Sequence, residues 1–180
     1  MNKKILGLVL LSMSFSGSIF ASPTNEKIKT IVEFFSFTCS HCANVNSKLN
    51  QYVASHNIRF LDINIDQTPD ALNTTIMYYI AIDAGVGVAF KDIYFKSVAE
   101  GLPAYSKKTL ESVLSQLNSS KISELVHSEE ERQKIKLKVK YAQELISKYN
   151  IRATPTFLIN QTTVLEGEEV LNSLVGTEND

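Results

Sequence analysis

Cysteine is nearly absent: the 180 residues contain two. That excludes a disulfide-dense small scaffold, which would carry an even set of four or more. Glycine (seven) and proline (four) are sparse too, which excludes collagen-like and low-complexity chains. Neither sign of charge is in excess. Lys and Arg total 18 and Asp and Glu 19, a formal net charge of −1, so bulk charge supplies no pull toward nucleic acid or an anionic membrane. Apolar residues at 44% are enough to bury a core and exclude a disordered chain. The length suits one domain.

Long hydrophobic runs are confined to the beginning. Residues 1–21, MNKKILGLVLLSMSFSGSIFA, begin with Lys3 and Lys4, continue into an apolar run and end on the small residue Ala21. This is the pattern of a secretory signal peptide cleaved near Ala21. Ser12, Ser14, Ser16, Gly17 and Ser18 make a poor spanning helix, which needs ~20 predominantly apolar residues. Residues 22–180 are then the exported protein, placed outside the cytoplasm, where disulfides form and persist.

The exported part reads as β-α-β, then helices, then β-β-α. Thr30 to Phe35 (TIVEFF) is a buried strand. From Cys39 to about Ser55, Cys42, Val45, Leu49 and Tyr52 recur at spacings of three and four and predict an amphipathic helix. Ile58 to Ile65 is a second strand, expected to run parallel to the first. From Pro69 to about Ser120 the pattern is helical, broken at Leu102-Pro103. Ser128 and Glu131 predict a capping box at the start of a long helix with Ile135, Val139, Ala142, Ile146 and Tyr149 on one face. Its alternating Lys134, Lys136, Lys138 and Lys140 read as a solvated face. Thr156 to Ile159 and Thr162 to Leu165 form a hairpin about Asn160-Gln161, and Glu168 to Leu174 closes the chain. The expectation is an α/β fold with a helical insertion at about 68–127.

Both cysteines sit at the strand-to-helix junction, as Cys39-Ser40-His41-Cys42. Unpaired N–H groups and the helix dipole both favour a thiolate on Cys39 there, and a protonated His41 adds to them. An exposed nucleophile followed one turn later by a buried resolving thiol is an arrangement for thiol–disulfide exchange. Zinc is disfavoured because a structural site takes about four ligands and His56 and His127 have no metal-ligand spacing to the pair. Ala43 after Cys42 excludes covalent haem attachment. A purely structural disulfide would close too small a loop to stabilise much.

The segment Ile31 to Cys42 (IVEFFSFTCSHC) closely resembles the active-site segment of DsbA-type periplasmic thiol:disulfide oxidoreductases, a thioredoxin fold with an inserted helical domain. The resemblance implies several site residues. Cys39 and Cys42 form a redox-active disulfide that needs no other cofactor, and Ser40 and His41 between them tune it. Alternation alone would send Glu33 to an exposed face, whereas the resemblance implies a buried acid beneath the disulfide with a raised pKa. Thr154-Pro155 is implied to be a cis-proline turn beside the cysteines, whose Thr154 backbone binds an extended substrate.

The function so implied is an oxidase acting on reduced or unfolded secreted proteins in the periplasm. It would be a monomer, reoxidised by a DsbB-type membrane partner. A periplasmic reductase or isomerase is the first alternative. A thiol-based carrier of a soft metal ion is the second, disfavoured because the exported part has a single methionine, Met77.

Overall fold

The computed structural model describes residues 27–176, so the expected signal peptide, residues 1–21, lies outside the described residues. The strands are β1 (Thr30–Phe35), β2 (Arg59–Asn64), β3 (Thr156–Ile159) and β4 (Thr163–Glu166). They form one sheet in the order β2-β1-β3-β4, with β1 and β2 parallel and the pairs β1/β3 and β3/β4 antiparallel. The helices are α1 (Ser40–His56), α2 (Pro69–Asp83), α3 (Gly87–Ala99), α4 (Lys107–Leu117), α5 (Ser120–Val126), α6 (Glu129–Lys148) and α7 (Glu169–Gly176).

Both faces of the sheet are covered. Ile31 and Phe157 pack with Val45, Leu49 and Tyr52 of α1 and Val170 and Leu171 of α7. Val32, Phe34 and Leu158 pack on the other face against Ala142 and Leu145 of α6. Strand alternation sends neighbouring residues to opposite faces, so Glu33 shares the α1 side with Ile31 and Phe35. It is fully buried there, not exposed.

Helices α2 to α5 form the insertion, and aromatic rings join it to the sheet. Phe35 at the end of β1 and Phe37 just beyond it enter a cluster with Tyr78, Phe90, Tyr94 and Phe95. Phe37 lies 4.2 Å from the Tyr94 ring and 5.0 Å, edge to face, from Phe35. Such pairs add to the burial of large apolar area.

Most boundaries agree with the sequence reading, and two local features differ from it. Helix α5 was not anticipated: Asn118 turns left-handed (φ 42°) and ends α4, and Ser119 Oγ then caps a new short helix by accepting from Ile122 N–H. The capping box of α6 is half formed. Ser128 Oγ accepts the Glu131 N–H at 3.2 Å, but the Glu131 carboxylate turns to Lys134 at 3.5 Å. The lysines of α6 are partly paired, Lys138 with Asp83 of α2 and Lys134 with Glu130. The hairpin forms at Asn160-Gln161, both left-handed. Asn160 suits it because its Oδ1 also accepts the Lys29 and Thr30 N–H groups.

Phe37 is 1% exposed and joins sheet to insertion, so Phe37→Ala is expected to cost about 3–5 kcal/mol in urea unfolding. A cost below ~1 kcal/mol would mean that the ring cluster does not carry this junction.

Candidate active site

Cys39 is the N-cap of α1. Its backbone is extended (φ −89°, ψ 110°), and its sulfur accepts the Cys42 N–H at 3.2 Å. A cysteine thus holds a position where Ser, Thr, Asp or Asn usually supplies an oxygen. Cys39 is partly exposed, Ser40 and His41 are exposed, and Cys42 is fully buried. Both cysteines are free thiols. Burial pushes the Cys42 thiol far up, its hydrogen bond to Cys39 adds to this, and a backbone hydrogen bond from Ser36 opposes them. The asymmetry between an accessible sulfur and a buried one is therefore present in the geometry.

The turn before β3 closes the site from a distant part of the chain. Thr154-Pro155 is cis, Pro155 is buried, and the Thr154 carbonyl accepts from Cys39 Sγ at 3.3 Å. His41 has a partner that the sequence reading missed. Its Nδ1 lies 3.1 Å from Glu168 Oε2, which also accepts from Asn44 Nδ2 at 3.3 Å. The hydrogen bonds from His41 and Asn44 hold the Glu168 carboxyl below its usual range.

A buried charge cluster centres on Glu33, whose charge acts on the Cys42 thiol. The parallel register places Glu33 directly beside Asp62, so two carboxyls share one face of the sheet. Lys91 of α3, 1% exposed, reaches between them. Its Nζ is 2.6 Å from Glu33 Oε2, 3.0 Å from Asp62 Oδ1 and 4.1 Å from the centre of the Phe35 ring. Tyr78 completes the cluster by donating to Asp62 Oδ2 at 2.5 Å. Glu33 Oε1 is buried with no hydrogen-bond partner. A signal for Lys91 was available. It falls on the apolar stripe Gly87, Phe90, Tyr94, Phe95 of its helix, where a lone cation requires a buried counter-ion.

Burial pushes the Glu33 carboxyl up to about 8; Lys91 opposes the shift and Asp62 adds to it. Burial pulls the Lys91 ammonium down, but Asp62 and Glu33 outweigh it, and its pKa ends above the ordinary value. Near neutral pH Glu33 is thus largely protonated and Lys91 stays an ammonium.

A raised carboxyl binds its proton more tightly in the folded state. The stability it contributes is full below about 4.5 and is lost as the pH rises through about 8. Glu33→Gln imitates the protonated form. Urea unfolding of the reduced protein from about pH 5 to about pH 9 is expected to show wild-type stability falling by a few kcal/mol and the variant's by much less. Parallel curves would refute the buried, proton-holding Glu33.

Among the described residues, no group of three or more His, Cys, Asp or Glu is arranged to hold a metal ion, and no helix is long and apolar enough to cross a membrane. A family model described as Thioredoxin matches residues 25–175. No curated protein matches the chain. Solved structures with the same fold include a point variant of DsbA from Pseudomonas aeruginosa (17% identity, TM-score 0.65, covering 87% of this chain and 91% of that one). They also include DsbA from Proteus mirabilis (19%, 0.61, 87% and 92%). A third is the thiol-disulfide exchange protein alpha-DsbA2 from Wolbachia pipientis (13%, 0.62, 85% and 81%). The sheet order, the helices α2 to α5 between its second and third strands and the extent of the match agree: the chain belongs to the thioredoxin family and has the DsbA-type fold.

Proposed function

We propose that this protein is an exported thiol:disulfide oxidoreductase that introduces disulfides into reduced secreted proteins in the periplasm. One observation carries the reading. The Cys39 sulfur caps a helix, is partly exposed and lies 3.3 Å from the carbonyl preceding a cis proline, while Cys42 is buried beneath it.

In the oxidised enzyme Cys39 and Cys42 are joined. A substrate thiolate attacks Cys39 Sγ, forming a mixed disulfide and releasing Cys42 as a thiolate. Burial disfavours that charge, and Glu33 below it supplies the proton. A second substrate thiolate then attacks the substrate sulfur of the mixed disulfide. The substrate leaves with a new disulfide and Cys39 leaves as a thiolate, stabilised by the first-turn N–H groups of α1. Two electrons have passed from substrate to enzyme. A quinone-linked membrane partner of the DsbB type takes them and restores the disulfide, with Glu33 accepting the Cys42 proton.

Ser40 and His41 tune the exposed sulfur, and Glu168 holds His41 in place. The backbone of Thr154, with Pro155 fixing its direction, accepts an extended substrate chain by main-chain hydrogen bonds, so substrate choice is broad. The enzyme acts as a monomer and needs no resident cofactor beyond its own disulfide.

Oxidation of a reduced two-cysteine peptide by the oxidised protein tests this directly. Wild type is expected to transfer its disulfide, and Cys39→Ser to transfer none. Reduced Cys42→Ser, offered the oxidised peptide instead, should form an adduct through Cys39 that no second enzyme thiol releases, visible by mass spectrometry. Reduced Cys39 should alkylate at neutral pH much faster than free cysteine. Ordinary alkylation together with absent disulfide transfer would overturn the proposal. Rescue of scrambled disulfides without net oxidation would assign the protein to the reductase or isomerase class instead.

A further inference from the structure

The short turn from Ser36 to Cys39 carries both the exposed sulfur and the start of the helix that holds the buried one, and it is hydrogen-bonded within itself and from outside. Cys39 N–H donates to Ser36 O at 3.1 Å, and Thr38 N–H donates to Ser36 Oγ at 3.0 Å. The Ser36 backbone also acts on the Cys42 thiol, opposing its upward shift. Ser36, 4% exposed, is therefore the pivot.

What holds the pivot is remote in sequence. Ser36 Oγ donates to Asp66 Oδ2 at 2.5 Å, from the segment after β2. The Tyr105 hydroxyl donates to the same carboxylate and accepts the Phe37 N–H at 3.1 Å. Tyr105 belongs to the α3–α4 connection of the insertion. Its backbone is left-handed (φ 60°), a conformation aromatic residues rarely adopt, and its N–H is held by the buried Tyr94 hydroxyl at 3.0 Å. Asp66 N–H is tied to Asn64 Oδ1 at 3.1 Å. An unusual backbone state thus brings one hydroxyl to the Phe37 N–H of the turn.

We infer that Tyr105, acting through Asp66 and Ser36, is a positioning residue for the reactive dithiol, by which the helical insertion sets the balance between its reduced and oxidised forms. The inference rests on the oxidoreductase reading above. The network braces the turn with both thiols free and keeps the Ser36 carbonyl on the Cys39 N–H. Losing the hydroxyl leaves the Phe37 N–H without its acceptor and removes one of the two donors to Asp66. It therefore weakens the reduced form more than the oxidised one, in which the covalent bond itself fixes the sulfurs.

The test is the equilibrium constant between the protein and glutathione for Tyr105→Phe, with alkylation of reduced Cys39 followed across pH. Tyr105→Phe is expected to shift the equilibrium toward the oxidised enzyme by roughly threefold to tenfold, the scale of one lost hydrogen bond. Its alkylation profile should move as well, while circular dichroism stays native. Asp66→Asn should shift the equilibrium in the same direction, and the double variant should shift it by less than the sum of the two, because the residues act as one unit. Asp66→Asn also decides the matter if Tyr105→Phe does not fold. An equilibrium constant and alkylation profile within twofold of wild type, with only the melting temperature lowered, would overturn the inference and leave Tyr105 a structural residue. If wild type itself does not exchange with glutathione, the oxidoreductase reading has failed, a result distinguishable from failure of Tyr105 alone.

Discussion

The ammonium of Lys91 between Glu33 and Asp62 is the contact on which the arrangement depends. The β1/β2 register places two carboxyls side by side on a face covered by α1 and the insertion. Burying them without a cation would be costly, because an isolated charge away from water loses its solvation. A cation can arrive only from an element packed over that face, and α3 supplies it. The position of the insertion is thus tied to the sheet by charge as well as by the Phe35 and Phe37 rings. The same pairing leaves one oxygen of Glu33 uncommitted.

That cluster explains how a helical insertion can bear on thiol chemistry without adding a residue to the cysteine motif. Its second helix contributes Lys91 to the buried cluster, and its next connection contributes Tyr105 beside the turn that carries the sulfurs. The accessible sulfur is also held by the core fold, through the start of α1 and the Thr154 carbonyl, 115 positions away in the chain. It therefore answers to both parts of the molecule.

Periodicity made much of the architecture legible. The apolar spacing of α1 and the β-branched, aromatic run of β1 both state their burial in local pattern, and the Ser128 cap marks where α6 begins. Helix α5 was not legible because seven residues carry too little pattern, and the Asn118 turn that separates it from α4 is a matter of backbone φ. Glu33 could be read two ways, since alternation names a face but not what covers that face.

Local spacing settled the strands, the longer helices, their order and the placing of two cysteines at a helix start, because each of these follows from one short stretch of chain. Only the tertiary structure decided which groups surround those cysteines. The pairing of Glu33 with Asp62 is a fact of strand register, the entry of Lys91 a fact of helix packing, and the reach of Tyr105 to Phe37 a fact of one left-handed residue in a connection. Each joins residues far apart in the chain, and local pattern carries no record of distances that only the closed core creates.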